Sequence, residues 1–187
     1  FQDVSGTDLG ASWREAGFDD GAWPSGQALF RAGNVTVETG DPEAVSTLFS
    51  TGLDENGTVV SPGMPDPHYQ LTQSAQSTPP PPAIAATVIQ NHPAWLLNDS
   101  LSSWIGPVNP GTSDVAAGTY TYRTRFSLSG FDPATATLTF RIGVDNRLTD
   151  VLLNGVSQGI ACAGFVALSS DFSIPGGFAA GTNTLNS

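Results

Sequence analysis

The chain has 187 residues, including 21 glycines and 14 prolines, and it shows no long helical periodicity. This composition favours many short strands joined by turns within one sizeable β domain. Its 17 acidic residues outnumber its 6 basic residues, all arginine, and the formal net charge is −11. Nucleic acid and anionic membrane surfaces repel such a chain, which excludes both as partners. No apolar stretch is long enough to insert into a bilayer.

The acidic excess has two interpretations. It keeps the protein soluble, or it reflects clustered Asp side chains that bind Ca²⁺. The single cysteine, Cys162, excludes an internal disulfide. The lysine-free composition, rich in Thr, Ser, Gly and Asn, indicates an exported protein, extracellular or on the cell surface. The chain opens at Phe1 without an initiator Met or a signal peptide, which we interpret as a processed chain or a fragment.

Residues 1–42 form a separate unit in the sequence. Two tryptophans flank an acidic turn, a strand is predicted over 28–37, and Asp41-Pro42 breaks the pattern. This N-terminal segment either adds edge strands to a sandwich formed by residues 43–187 or is the remnant of a neighbouring module. We favour the edge strands.

The next segment alternates strand and loop signals. Ser74 to Pro82 contains four consecutive prolines and is predicted as a polyproline II spacer or an exposed loop. Runs rich in β-branched and aromatic residues predict strands over 45–50, 69–73 and 84–89.

The clearest pattern lies between Gly118 and Gly155. Two long runs, 120–128 and 137–144, alternate apolar and polar residues, which predicts two strands with one buried and one wet face. Gly130-Phe131-Asp132-Pro133 predicts a turn between them, and Asn154-Gly155 suits a two-residue hairpin. The pattern predicts an all-β sandwich of antiparallel sheets.

Further strands are predicted towards the end of the chain. They cover 164–168 and 171–174, and a last strand begins at Gly181 and stops at Ser187. A strand that ends so early looks truncated.

Several motifs in the last hundred residues occur together in one known family. They are Tyr120-Thr121-Tyr122-Arg123-Thr124-Arg125-Phe126, Val144-Asp145, Leu152-Leu153-Asn154-Gly155 and Gly181-Thr182-Asn183-Thr184-Leu185. In this order they resemble the galactose-binding-like jelly-roll modules, which include sugar-binding domains beside glycoside hydrolase barrels. The variant here looks most like modules of exported bacterial PEP-CTERM-type proteins. The resemblance implies a jelly-roll β-sandwich, glycan binding and export.

Candidate glycan contacts divide into three kinds. Aromatic rings near loop signals can stack on the C–H faces of sugars. Arginines on the polar parity of the two central strands can bind carboxylate or sulfate groups, or they simply form ion pairs and cover the sheet. Polar residues where a strand meets the rim can contact hydroxyls or cap a turn. The candidates are Tyr69, Trp95, Trp104, Arg123, Arg125, Arg141, Asp145 and Asn146.

No catalytic motif is present. The two histidines, His68 and His92, have no nucleophile or metal-ligand spacing around them. The adjacent acids Asp19-Asp20 and Asp54-Glu55 lie on predicted turns, whereas glycosidase carboxylates come from separate strands. The sequence therefore predicts a protein that is not an enzyme.

Two functions follow from these observations. The first is a non-catalytic glycan-binding or adhesion module. The second is a structural subunit of an extracellular filament or surface layer, in which neighbouring copies fill the edge left by the short last strand.

Overall fold

The computed structural model describes residues 29–38, 45–75, 82–107, 115 and 118–187, with the side chains of Arg31 and Ala32 alone in the first range. Within these ranges the chain is all-β and contains no helix. The strands are β1 Leu29–Glu38, β2 Pro65–Gln73, β3 Ile84–Val88, β4 Ile105–Gly106, β5 Thr121–Ser127, β6 Thr137–Leu148, β7 Leu152–Leu153, β8 Val156–Ser157, β9 Cys162–Gly164, β10 Phe172–Ile174 and β11 Thr182–Asn186.

The strands form one continuous sheet in which every described pair is antiparallel. The order across it is β10, β6, β1, β4, β3, β2, β5, β11, β7, β8, and β9 also pairs with β6. The long strands β5 and β6 follow each other in sequence but are not paired. β5 lies between β2 and β11, whereas β6 lies beside β1.

The sheet folds over so that its two halves face each other. Side chains from both halves line one small internal cavity of about 10 Å³. β1 and β6 contribute Ala32, Phe140 and Ile142, while β2, β5 and β11 contribute Tyr69, Thr124 and Leu185. The main core lies between the halves, which makes the fold an antiparallel, sandwich-like all-β structure, as the alternation predicts.

The strongest sequence signals are confirmed. β5 buries Tyr122, Thr124 and Phe126 and turns its other residues outward, as the parity requires. The Asn-Gly hairpin joins β7 to β8, with φ of 52° at Asn154 and 83° at Gly155. These positive values are those that a two-residue turn of this kind demands.

The strand predicted over 45–50 is wrong. The backbone turns there, and Leu48 N donates to Val45 O. Phe49 stacks on His68 with ring centroids 3.8 Å apart, and its carbonyl accepts a hydrogen bond from the Tyr69 hydroxyl. The apolar segment is therefore held by side chains of β2 and not by strand pairing of its own.

The strand predicted over 164–168 is also wrong beyond Gly164, where β9 ends. Phe165 O accepts a hydrogen bond from Leu96 N, and Ser169 N donates to Ile142 O. The segment is held by single hydrogen bonds to a loop and to β6, because Phe165 packs into a separate aromatic cluster.

Other predictions concern residues at the margins of the described ranges. Most of the proline-rich spacer, residues 76–81, lies outside them, as do residues 1–28 and 39–44. The division at residue 42 stays a prediction, and the structure places β1 between β6 and β4. β11 pairs with β5 along its whole length and with β7 at Leu185 and Asn186.

We expect Gly155→Ala to lower the free energy of unfolding by about 1–2 kcal/mol, because a Cβ disfavours positive φ. Gly176→Ala is the matched control, since an added Cβ meets nothing within 4 Å at either position and only Gly155 has a positive φ. Urea denaturation measures both variants. Equal stability of the two variants would contradict a strained turn.

Candidate functional site

The three aromatic candidates are buried and do not form a sugar platform. Tyr69 is 3% exposed in β2, and its hydroxyl donates to Phe49 O over 3.1 Å. Burial, followed by the nearby Asp66 carboxylate, raises the pKa of Tyr69 above its ordinary value. The ring belongs to the main core.

Trp95 and Trp104 form a second, smaller core with Ile89. Their ring centroids are 5.4 Å apart, and the Trp104 indole N–H donates to Leu96 O over 2.7 Å. Trp104 lies against β6 at Gly143, where an added Cβ would meet Trp104 Cη2 at 3.1 Å. Both tryptophans therefore pack a loop onto the outside of the sheet.

The three arginine candidates are not brought together. Arg123 and Arg125 project from β5, whereas Arg141 projects from β6 in the opposite half of the sandwich. Arg123 Nη2 donates to Gln70 Oε1 over 2.8 Å, while Arg141 Nε lies 3.7 Å from Asp171 Oδ1. Burial, and then repulsion from Arg125, lower the pKa of Arg123. The polar parity that the three arginines share in the sequence does not place them on one sheet face, because β5 and β6 are not neighbouring strands.

Asp145 and Asn146 lie in β6 at an irregularity in its pairing with β9. Both residues are half-buried, and the register shifts between Val144 and Arg147. On the other side, Asp145 lies opposite Leu29 of β1. Strand β6 thus continues through these residues and does not end at them.

A surface groove of about 410 Å³ lies between two loops at one end of the sheet. One loop is the hairpin around residues 52–62, and the other runs from 89 to 104. Sequence reasoning did not find this groove, because its residues are far apart in the chain and none carries a motif. The lining residues are Val59, Val60, Pro62, Gln90, Asn91, Asn98 and Ser103.

The first wall is a hairpin closed by its own polar turn. Leu53 pairs with Val59, and Asp54 Oδ1 accepts hydrogen bonds from Asn56 N and Thr58 N. The hydrogen bond from Thr58 lowers the pKa of Asp54, although slight desolvation opposes it. At the base, Gly52 N donates to the buried Asp66 carboxylate over 2.7 Å. This wall is fixed to the start of β2.

The second wall is braced by one amide side chain. Asn98 Nδ2 donates to Ile89 O over 2.9 Å, and its Oδ1 accepts from Trp104 N over 2.8 Å. Asn91 Oδ1 in turn accepts from Asn98 N over 2.6 Å. These contacts join the beginning, middle and end of the loop, so Asn98 serves the shape of the groove.

Arg31 ties the same loop to the sheet. Its side chain is fully buried on β1. Nε donates to Ser102 Oγ over 2.7 Å, Nη1 donates to Leu97 O over 2.8 Å, and Nη2 lies 2.8 Å from Asp99 Oδ2. Sequence reasoning missed this residue, because parity predicts a polar face for Arg31 but cannot show that a loop covers that face.

Ser103 lies beneath the groove with an unsatisfied hydroxyl. The residue is fully buried, and its Oγ has no hydrogen-bond partner among the described residues. It lies against Gly52, where an added Cβ would stand 2.5 Å from Ser103 Cβ. Buried hydroxyls are normally hydrogen-bonded, so this group is an exception that needs a reason.

Other reactive groups are engaged elsewhere. His92 packs on Trp95, and burial raises the pKa of the Cys162 thiol. Across the described ranges, no three His, Cys, Asp or Glu side chains come together as a metal site. The interpretation of the acidic excess as a Ca²⁺ site stays a prediction.

A comparison with protein-family models, curated proteins and solved structures finds no match for the chain. The resemblance to galactose-binding-like modules stays a prediction. In the part of the chain that the structure describes, no helix has the length and hydropathy needed to span a membrane.

We expect Asp99→Asn to lower the free energy of unfolding at neutral pH. Burial disfavours the charged form of Asp99, but hydrogen bonds from Leu101 N and the Arg31 guanidinium outweigh it, so the pKa lies below 3.8. A depressed pKa stabilises the fold fully above pH 3.8, and that contribution is lost as the pH falls through the folded-state pKa.

The difference in unfolding free energy between wild type and Asp99→Asn should thus be largest at neutral pH and narrow below pH 3.8. Glu55→Gln removes one exposed acid that makes no ion pair among the described residues. It should leave the stability at neutral pH unchanged. A gap for Asp99→Asn that stays constant down to pH 2 would contradict the ion pair.

Proposed function

We propose that this protein is a non-catalytic β-sandwich module of the cell surface or extracellular space that binds glycans. The observation that carries the proposal is the groove between the 52–62 hairpin and the 89–104 loop. Its seven described lining residues combine amide, hydroxyl and aliphatic groups, and none of them is charged. A surface of this kind complements sugars, which present hydroxyls and apolar C–H faces together.

The size and construction of the groove also support ligand binding. Its volume of about 410 Å³ falls within the roughly 300–1,000 Å³ of small-molecule sites. Both walls are braced by hydrogen bonds: the Asp66 carboxylate accepts from Gly52 N in the first wall, and Asn98 Nδ2 and Arg31 Nη1 donate to backbone carbonyls of the second. In a pre-formed groove, less of the binding free energy is lost to the ordering of loops.

We also propose that the sandwich is a jelly roll of the galactose-binding-like type. The order of the Arg-Phe strand, the Asn-Gly hairpin and the closing Asn-x-Leu strand is that of jelly-roll, galactose-binding-like modules. Asn183, in the closing strand, is fully buried and accepts hydrogen bonds from Asn154 Nδ2 and Ala179 N. Two of the motifs that suggested the family, the Asn-Gly hairpin and the closing strand, thus contact each other.

The absence of catalysis is proposed from the surroundings of the reactive groups. His68 is stacked on Phe49, and His92 packs at a tilt against Trp95. The half-buried Cys162 has a raised pKa, which makes it a weak nucleophile. None of these residues lines the groove.

We rank assembly into a filament or surface layer second. That function depended on an open edge along the last strand, yet β11 is paired with β5 and, near its end, with β7. The remaining support is β8, which pairs with β7 alone among the described strands and exposes 65% of Val156. A two-residue edge offers little backbone for another chain to pair with.

A broad glycan panel tests the proposed function. We expect the protein to bind at least one neutral glycan, with and without Ca²⁺, because none of the described lining residues is a carboxylate that could hold a bridging ion. Sedimentation of the same preparation reports its oligomeric state. A flat panel under both conditions would refute glycan binding, and polymers in that case would favour the assembly function.

A further inference from the structure

We infer that the groove recognises a neutral saccharide through the side-chain amides of Gln90 and Asn91, above the buried hydroxyl of Ser103. This inference rests on the proposed function and adds to it the class of glycan and the residues that bind it. It also replaces the arginine-based recognition of anionic glycans that the sequence suggested.

Two side-chain amides in the groove have donors or acceptors that no described residue uses. The Gln90 side chain is exposed and makes no hydrogen bond within the described ranges. Asn91 uses its Oδ1 to hold Asn98 N, so its Nδ2 still has two protons to donate. Asn98 differs, because both ends of its amide hold the loop. Adjacent sugar hydroxyls need donors and acceptors close together, and Gln90 and Asn91 provide both.

The second argument is the buried Ser103 hydroxyl. A buried hydroxyl without a partner carries a desolvation penalty that a ligand can relieve. Ser103 lines the groove and packs on Gly52 of the first wall, where an added Cβ would lie 3.0 Å from its Oγ. A saccharide hydroxyl, or a water that it holds, would supply the partner that the chain does not.

The third argument is the apolar wall. Val59 is 42% exposed and Pro62 is exposed, and both line the groove opposite the amides. Their aliphatic surfaces can cover the C–H face of a sugar ring, a role that buried Tyr69, Trp95 and Trp104 cannot fill. An exposed Val at this place is then part of the binding surface.

The charge around the groove favours a neutral ligand. None of the seven lining residues is ionisable, and the whole chain carries a formal net charge of −11. An anionic glycan would meet repulsion without a local cation to offset it. A neutral saccharide avoids that repulsion, and its affinity should be insensitive to salt.

The experiment uses the whole chain and the strongest neutral binder from the glycan panel, titrated by calorimetry. Gln90→Ala and Asn91→Ala should each weaken binding about 3–10-fold, which corresponds to the loss of one hydrogen bond. Gln73→Ala is the matched control, because Gln73 is an exposed amide at the far end of β2 from the groove. It should bind like wild type.

Ser103→Ala separates a binding role from a structural one. Removing an unsatisfied hydroxyl should leave the melting temperature unchanged or raise it, whereas the affinity should fall several-fold. This variant guards against misfolding as an explanation, since stability and affinity are expected to change in different directions. Asn91→Ala also removes the acceptor of Asn98 N, so Gln90→Ala, which breaks no hydrogen bond among the described residues, is the decisive amide variant.

The outcomes of these titrations separate a failure of the proposed binding site from a failure of the proposed glycan-binding function. Glycan binding that is unaffected by Gln90→Ala and Ser103→Ala overturns the site while the module remains a glycan binder. Tight binding of an anionic glycan that Arg125→Ala or added salt abolishes overturns the neutral class. If no glycan binds at all, the proposed function itself fails.

Discussion

The position of the loop that forms one wall of the groove depends on a buried cation, Arg31. The Arg31 guanidinium is enclosed on β1, where an unpaired charge would be prohibitively unfavourable. Its three contacts all lie on the segment from Leu97 to Ser102. The chain must therefore bring that loop over the outer face of β1 and hold it there. An apolar residue at position 31 would bury as well, but it would not specify which carbonyl and which hydroxyl lie opposite.

The loop that Arg31 fixes carries the rest of the candidate site with it. Trp104 packs on Gly143 and closes the second core, while Asn98 holds the two ends of the loop together. Thr51 adds a link on the other side, because its hydroxyl donates to Ser103 O and accepts from Ala32 N. The groove is therefore a product of the packing between β1, the hairpin and the loop, and a change in any of these changes its shape.

Much of the fold could be predicted from local pattern, and little of the site could. Alternation in 120–128 and 137–144 directly indicates two half-buried strands. Asn154-Gly155 indicates the hairpin turn between β7 and β8. The errors occurred where an apolar segment is held by single hydrogen bonds outside the described strand pairs, as at Phe49 and Phe165. Tryptophan near a turn signal did not distinguish a sugar platform from an anchor. The amides of the groove have no spacing signal, because the pairing of distant segments brings them to Val59 and Ser103. The buried role of Arg31 needed the same knowledge of which loop covers which face.

The position of β1 has a consequence for how the chain acquires its structure. Leu29 pairs with Asp145 and Glu38 pairs with Thr137, so β1 completes its hydrogen bonds only with a strand made much later. Synthesis proceeds from the N-terminus, and pairings between distant segments form slowly. Until β6 emerges, the β1 edge that pairs with it is open, and until residues 97–102 emerge, Arg31 lacks the loop that neutralises it. A charged side chain on a waiting strand opposes pairing with other chains. The same arginine that organises the finished surface can thus act as a gatekeeper against aggregation while the nascent chain waits for its partner.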